Sequence, residues 1–301
     1  MTAQVLAPIA ITAGMITACV VAEPAAGETA WNAATSYTLG VKVIRTTTHR
    51  VYTSMATGID AGLPESTPTR WFDTGPTNLM AAFDLYRSTA ITYAGTLTMT
   101  VKPGIITGMA FFGLQGDSLR VVCKNATSLA VYYDTTFSLS TYLSGDLMWE
   151  FYYGVARQQD GLRISGLYPN DAQVEITLTP SAGNAAIGIF ALGSFEVLGA
   201  PQYGFKAQPV DYSRITTDAY GNTTIVKGLS AKNLSGECVM AAADAQAAVD
   251  VIYRLLGTPC AISMSDDPTY DYLSAFGLLS ADITASGPSH AILSLTARGV
   301  I

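Results

Sequence analysis

The sequence predicts a mostly β protein in which a small three-stranded module, a jelly-roll β-sandwich and a C-terminal β-sandwich with one helix follow one another. Three observations predict it. Trp31 and Trp71 bracket a run of short strand-like segments, and residues 84–199 form a succession of apolar runs separated by turn residues. Only Ala241 to Leu256 shows convincing helical spacing, with Val249, Ile252, Tyr253 and Leu256 at i, i+3, i+4 and i+7.

Composition narrows the function classes. A chain of 301 residues accommodates two or three ordinary domains, so neither a metal nor a disulfide is needed to hold it. Charged residues are only 13% and hydrophobic residues 49%, a balance that suits a subunit whose outside is covered in a large assembly. Net charge is −7 and the Lys and Arg residues are scattered singly, so no basic stripe exists for nucleic acid. Cys19, Cys123, Cys238 and Cys260 lie far apart, and His49 and His290 are the only histidines, which argues against a metal site. Isolated buried thiols are expected, with a single disulfide left open.

Residues 1–30 are expected to form an N-terminal strand segment for assembly contacts, with strands at Gln4 to Ala10 and Met15 to Val21 joined across Ile11 to Gly14. No Lys or Arg precedes Lys42, which argues against a secretory signal. Pro8, Thr12, Gly14 and Thr17 interrupt the apolar run, and it is too short to cross a membrane.

Residues 31–83 are the expected small module. Trp31, Tyr37, Gly40, Val43, Val51, Tyr52, Pro64 and Trp71 are spaced for three strands of about five residues each. So small a sheet relies on large aromatic side chains to close its core. This order of residues resembles the small chitin-binding modules of chitinases and phage tail proteins: Trp31, Tyr37, Gly40 and Val43 lead into a hairpin, then come Tyr52, Gly62 with Pro64, and Trp71. Sugar-binding members carry an exposed aromatic pair after the hairpin tyrosine, and here Thr53, Ser54, Met55 and Ala56 stand there instead. The continuation through Gly75-Pro76-Thr77-Asn78 and Phe83-Asp84 resembles the way tailed-phage tail and baseplate proteins follow this module.

Residues 84–199 read as the jelly roll. Alternation is plain at Ile91, Tyr93, Leu97, Met99 and Val101, and again at Val174, Ile176 and Leu178. Gly108 to Leu114, Leu129 to Tyr133, Met148 to Val155 and Ala185 to Leu192 are continuously apolar. Lys102-Pro103-Gly104, Gln115-Gly116-Asp117, Ser144-Gly145-Asp146 and Pro169-Asn170-Asp171 are among the turns between strands.

Gly199-Ala200-Pro201 reads as a boundary, after which residues 200–301 form the last domain. A hairpin is expected where Tyr212 to Thr216 and Thr223 to Lys227 flank Tyr220-Gly221-Asn222. The helix at about 241–256 stops at Gly257 and Pro259, and strands return at Cys260 to Met264, Tyr272 to Leu279, Asp282 to Ala285 and Ala291 to Ala297. A β-sandwich with a single helix resembles the tube-like domain shared by tail-tube and distal-tail proteins.

No catalytic constellation stands out. Asp266 and Asp267 sit in a turn, Glu150 lacks a carboxylate partner in any motif, and neither histidine neighbours a nucleophile elbow. No phosphate-binding loop ends in Gly-Lys-Ser or Gly-Lys-Thr. No enzyme activity, cofactor or metal is therefore expected. Tyr37, Tyr52, Tyr132 and Tyr152 are the candidate contacts for a glycan or a protein partner. Taken together, the resemblances imply a structural subunit of a phage tail baseplate or tail tip, carried in the virion and assembled in the host cytoplasm. Its implied partners are other tail proteins (tube, hub and fibre) and copies of itself in a threefold or sixfold ring, with neither nucleic acid nor membrane insertion. Alternative readings are a tail-tip adhesin that binds a host-surface glycan, or an accessory region of a secreted hydrolase.

Overall fold

A computed structural model describes residues 2–141, 148, 152, 157–180, 183–265 and 268–300. The chain is mostly β, and its parts are nested rather than consecutive. β1 (Ala3–Pro8) and β2 (Ile16–Cys19) come first. They do not pair with each other: β1 lies between two strands of the C-terminal half, and β2 joins a different sheet. The hairpin expected across Ile11 to Gly14 is thus replaced by a short 3-10 turn at Ala13–Met15 that carries the chain from one sheet to the next.

The small module follows, with β3 (Ser36–Tyr37), β4 (Lys42–Arg45), β5 (Arg50–Ser54), β6 (Gly58–Ile59) and β7 (Trp71–Pro76). β4, β5 and β7 form the three-stranded sheet and β3 pairs with β6. Tyr37, Val43, Tyr52 and Trp71 are its buried core, with Trp31 and Val41 packed against them. Tyr37 meets Trp71 edge-on, with ring centroids 5.3 Å apart, the geometry that ring quadrupoles favour. The passage at Thr74 to Thr77 is the end of β7 and its exit, where Thr77 N–H donates to His49 O, 2.9 Å.

Then come β8 (Ile91–Ala94), β9 (Leu97–Gly104), β10 (Gly108–Phe112), β11 (Ser118–Asn125), β12 (Val131–Ser138), β13 (Ser140–Thr141), β14 (Arg157–Gln158), β15 (Gly161–Ser165), β16 (Ala172–Thr179) and β17 (Asn184–Ile187). One sheet has the order β12-β11-β16-β9-β2, and β8 pairs with β17. Alternation puts Leu97, Met99, Leu119, Val121, Val174 and Ile176 on its inner face, where they share a core with Met109, Phe111, Ile164, Phe190 and Leu192 of the opposing sheet. Phe111 and Phe190 stack across that second sheet at 4.6 Å. This is a β-sandwich, and β2 supplies its first strand. Of the run Met148 to Val155 only Met148 and Tyr152 are described, and Glu150, Asp266, Asp267 and the turn at Ser144 to Asp146 lie outside the described residues. Leu129 to Tyr133, expected as a continuously apolar strand, leads into β12, which is the sheet's edge and largely exposed.

The remaining elements are β18 (Ile189–Pro201), β19 (Lys206–Asp211), β20 (Arg214–Thr217), β21 (Thr223–Val226), β22 (Ser230–Ala241), α1 (Ala245–Leu255), β23 (Cys260–Ser263), β24 (Ser274–Ala285) and β25 (His290–Gly299). The large sheet runs β15-β10-β18-β1-β23-β24-β25-β22-β19, and β22 also pairs with β18, at Ala200↔Val239 and Pro201↔Cys238. Six strands, β18-β1-β23-β24-β25-β22, therefore close on themselves as a barrel. Val5, Leu198, Leu234, Ile262, Leu293 and Leu295 share one core with Ala248, Ile252 and Leu255 of α1.

Two expectations change here. Gly199-Ala200-Pro201 is no linker: β18 runs through it, sandwich strand at one end and barrel strand at the other. Gly199 has φ +120 and a Cβ there would meet Val239 O at 2.7 Å, so only glycine permits the close approach that shuts the barrel. The N-terminal segment, expected to need a neighbouring subunit, is completed within its own chain, because Leu6 faces Phe195 on β18 and Ala261 on β23. The continuous apolar runs of β10 and β18 have the same origin. One face meets the sandwich core, and Ala110, Ile189 and Ala191 on the other face pack with Leu6, Ala261 and Phe276.

Candidate functional site

Among the described residues the most unusual surface is the hairpin β20–β21. All eight of its strand residues are exposed, so it has no core on either face. Ile215 and Ile225 pair directly across the two strands and remain 65% and 66% exposed. An isolated two-stranded hairpin is at best marginal in water. Its ends hold it. At the tip, Asp218 Oδ1 accepts from Tyr220 N–H (2.9 Å) and Asn222 N–H (2.8 Å), and Asp218 Oδ2 accepts from Asn222 Nδ2, 2.9 Å. At the base, Asp211 Oδ1 accepts from Ser213 N–H (2.9 Å) and Oγ (2.7 Å), and Ser213 Oγ accepts from Gly228 N–H, 2.9 Å. Gly228 approaches so closely that a Cβ would meet Tyr212 O at 2.4 Å. These bonds to the ionised form hold both carboxyls below the usual aspartate range, Asp211 chiefly through the Ser213 hydroxyl and Asp218 chiefly through the Asn222 amide. The result is an arm fixed at both ends and bare along its length.

The four tyrosines expected as contacts separate into two pairs. Tyr37 and Tyr52 are each only 4% exposed and build the module's core, so neither offers a ring face to a partner. Their spacing was dictated by packing, and their role as contacts is withdrawn on that ground. Tyr132, 47% exposed, sits beside the bulge between Cys123 and Lys124 on edge strand β12, and Tyr152 is 67% exposed. The module's exposed aromatic is instead Phe72, 60% exposed on the face opposite Trp71 and paired across β5 with Thr53. The sequence reading missed it, although Phe72 follows buried Trp71 on the same strand and so falls on the opposite face.

Charged groups are matched with one another. Arg120 grips Asp134 through two bonds, 2.9 and 2.7 Å, and Lys124 Nζ donates to Glu175, 2.6 Å. Between sandwich and barrel lies a cavity of about 220 Å³ lined by Arg87, Asp160, Lys232 and Asp271. Arg87 pairs with Asp160, and Lys232 Nζ donates to Tyr272 O (3.2 Å) and Ser274 O (3.0 Å). Burial lowers the Lys232 pKa from its usual value. The Arg87–Asp160 pair belongs to the sandwich side of the cavity and the Lys232 bonds to its barrel side.

His49 Nδ1 lies 2.5 Å from Glu23 Oε2, joining the hairpin tip of the module to the segment that enters it. His290 stands at the start of β25. No group of three or more His, Cys, Asp or Glu residues is arranged for a metal among the described residues. All four cysteines are free thiols. No helix among the described residues is long and apolar enough to cross a membrane. Comparison with protein families, with curated proteins and with solved structures finds no match.

Proposed function

We propose that the chain is a structural, non-enzymatic subunit of a tailed-phage tail, in the baseplate or tail tip, that assembles into a threefold or sixfold ring. The observation that carries this reading is the β20–β21 arm, whose ordered ends and bare isoleucines suit a surface completed only by assembly. The low content of charge and the resemblance of residues 31–83 to chitin-binding-like modules of tail proteins support it from the sequence side. On this reading the sandwich is the jelly roll, and the barrel with α1 is the tube-like domain that builds the ring. The partners are tube, hub and fibre proteins, and the particle is assembled in the host cytoplasm.

The test is mass measurement and electron microscopy of the chain alone and co-expressed with its tail neighbours. Full-length protein is expected in rings. A chain in which residues 212–228 are replaced by a short turn is expected to stay monomeric with an unchanged melting temperature. Normal rings from the armless chain would show that the arm is not the assembly surface, and a full-length chain that stays monomeric with and without its tail neighbours would refute the proposal.

Exposed Phe72 and Tyr132 favour a second reading, a tail-tip adhesin that stacks on a host glycan. It requires glycan binding by the full chain that Phe72→Ala or Tyr132→Ala weakens without loss of stability.

A further inference from the structure

The arm has a complementary surface on its own molecule, at the far end of the barrel. A groove of about 640 Å³ runs between α1 and β18. Val197, Ala200, Ala247 and Val251 are among its apolar lining, and Glu196 and Asp244 also line it. The arm offers the converse. Ile215 and Ile225 form one apolar pair, Arg214 and Lys227 flank them at the base, where Lys227 also faces Asp211, and Asp218 stands at the tip. Small side chains on the groove and branched ones on the arm suit interdigitation, and opposite charges at the rim fix which way round the two meet.

An arm cannot reach the groove of its own copy. It leaves the barrel where β19 meets β22, at Asp211↔Ser230, whereas the groove lies beside Val239, Met240 and Ala241 at the other end of β22. Ten residues of strand separate Ser230 from Met240, about 33 Å at the usual rise, and the arm from Ser213 to Asp218 spans only about 17 Å. Tyr212 N–H donates to Leu229 O, 3.1 Å, so the arm begins as a continuation of the β19–β22 ribbon beyond that end.

We infer that the arm of one copy docks in the α1–β18 groove of a second copy, seating Ile215 and Ile225 against Val197 and Val251 and setting Arg214 and Lys227 against Glu196 and Asp244. The contact is head-to-tail, so repetition closes into a ring or continues as a stack according to the rotation between copies. This inference rests on the ring-subunit reading and specifies its interface. Glu196 already accepts from Arg254 at 3.2 Å, an exposed pair that holds it loosely and exchanges at little cost.

The experiment is charge reversal with compensation in the full chain. Arg214→Glu with Lys227→Glu should weaken self-association at least about tenfold, and adding Glu196→Lys with Asp244→Lys should restore it. In parallel, copies carrying only Ile225→Cys are mixed with copies carrying only Val197→Cys. Mild oxidation should give a mixed disulfide dimer that the equivalent mixture with Thr98→Cys does not. All these positions but Glu196 are exposed, and unchanged melting temperatures show that folding is intact. A chain that assembles normally after arm reversal, or that gives no Ile225–Val197 cross-link while assembling, overturns the docking and leaves the ring reading standing. A full-length chain that stays monomeric with and without its tail neighbours overturns both.

Discussion

Trp71 shows what the sequence could and could not reveal at the scale of single residues. A tryptophan between turn signals marks a small core, and Trp71 is 1% exposed at the centre of that core. Trp71→Ala should cost about 3–5 kcal/mol, measured by chemical denaturation of the full chain as early loss of the module's unfolding transition. Tyr37 and Tyr52 were legible as module residues but not as buried ones, because amphipathic tyrosine serves core and surface equally well. The cysteines give a sharper test. Burial pushes Cys123 up to about 11 and both Cys238 and Cys260 up to about 12, and it raises half-buried Cys19 as well. A water-soluble thiol reagent at mildly alkaline pH should therefore modify at most Cys19 in the native protein and all four cysteines after unfolding.

At the scale of elements, periodicity identified most strands but could not assign their partners. β9 and β16 alternate as expected, with every second residue buried. β1 is equally apolar, yet its partners are β18 and β23, and nothing local in Ala3 to Pro8 specifies so distant a pairing. The hairpin β20–β21 was legible from Tyr220-Gly221-Asn222, whereas its bareness was not, because the β-branched residues of Arg-Ile-Thr-Thr and Thr-Thr-Ile-Val suit a half-buried strand equally well. Its carboxylates make the arm sensitive to acid. Asp211 and Asp218 have folded pKa values below the ordinary ~3.9, so their contribution to arm order is complete above that value and is lost as pH falls through the lowered ones. Amide exchange at Tyr220 and Asn222 should stay slow from neutral pH down to about 5 relative to unstructured amides, and that protection should disappear below about pH 4. Asp218→Asn should weaken it already at pH 7 and leave β22 and β25 unchanged.

At the scale of the whole molecule, strand-like runs and turn signals gave the mostly β class but suggested a linear order of domains. Nesting is invisible to turn signals, because Gly199 and Pro201 look the same in a linker and in a strand that bends to close a barrel. Removal of residues 2–8 takes out the strand between β18 and β23 and should open the barrel. The expected outcome is loss of the α1 and β25 amide protection, while the small module keeps its fluorescence from buried Trp71. An intact barrel in that truncated chain would refute the nested topology.

That topology also sets a timetable. Ala3 pairs with Gly199, 196 positions later in the chain (199 − 3). A ribosome adding about 5–20 residues per second therefore makes β1 roughly 10–40 s before its partner strand exists. Throughout that interval an apolar strand with two open edges, Val5 on one face and Leu6 on the other, is waiting beside a small module that is already able to fold. Release of the completed chain, rather than early collapse, is then the step at which the barrel forms. In refolding from denaturant the same wait becomes a competition between one internal partner at a fixed distance and every other copy's β1 at a distance set by concentration. The yield should fall as protein concentration rises, and it should recover when a tethered or slowly translated chain keeps copies apart.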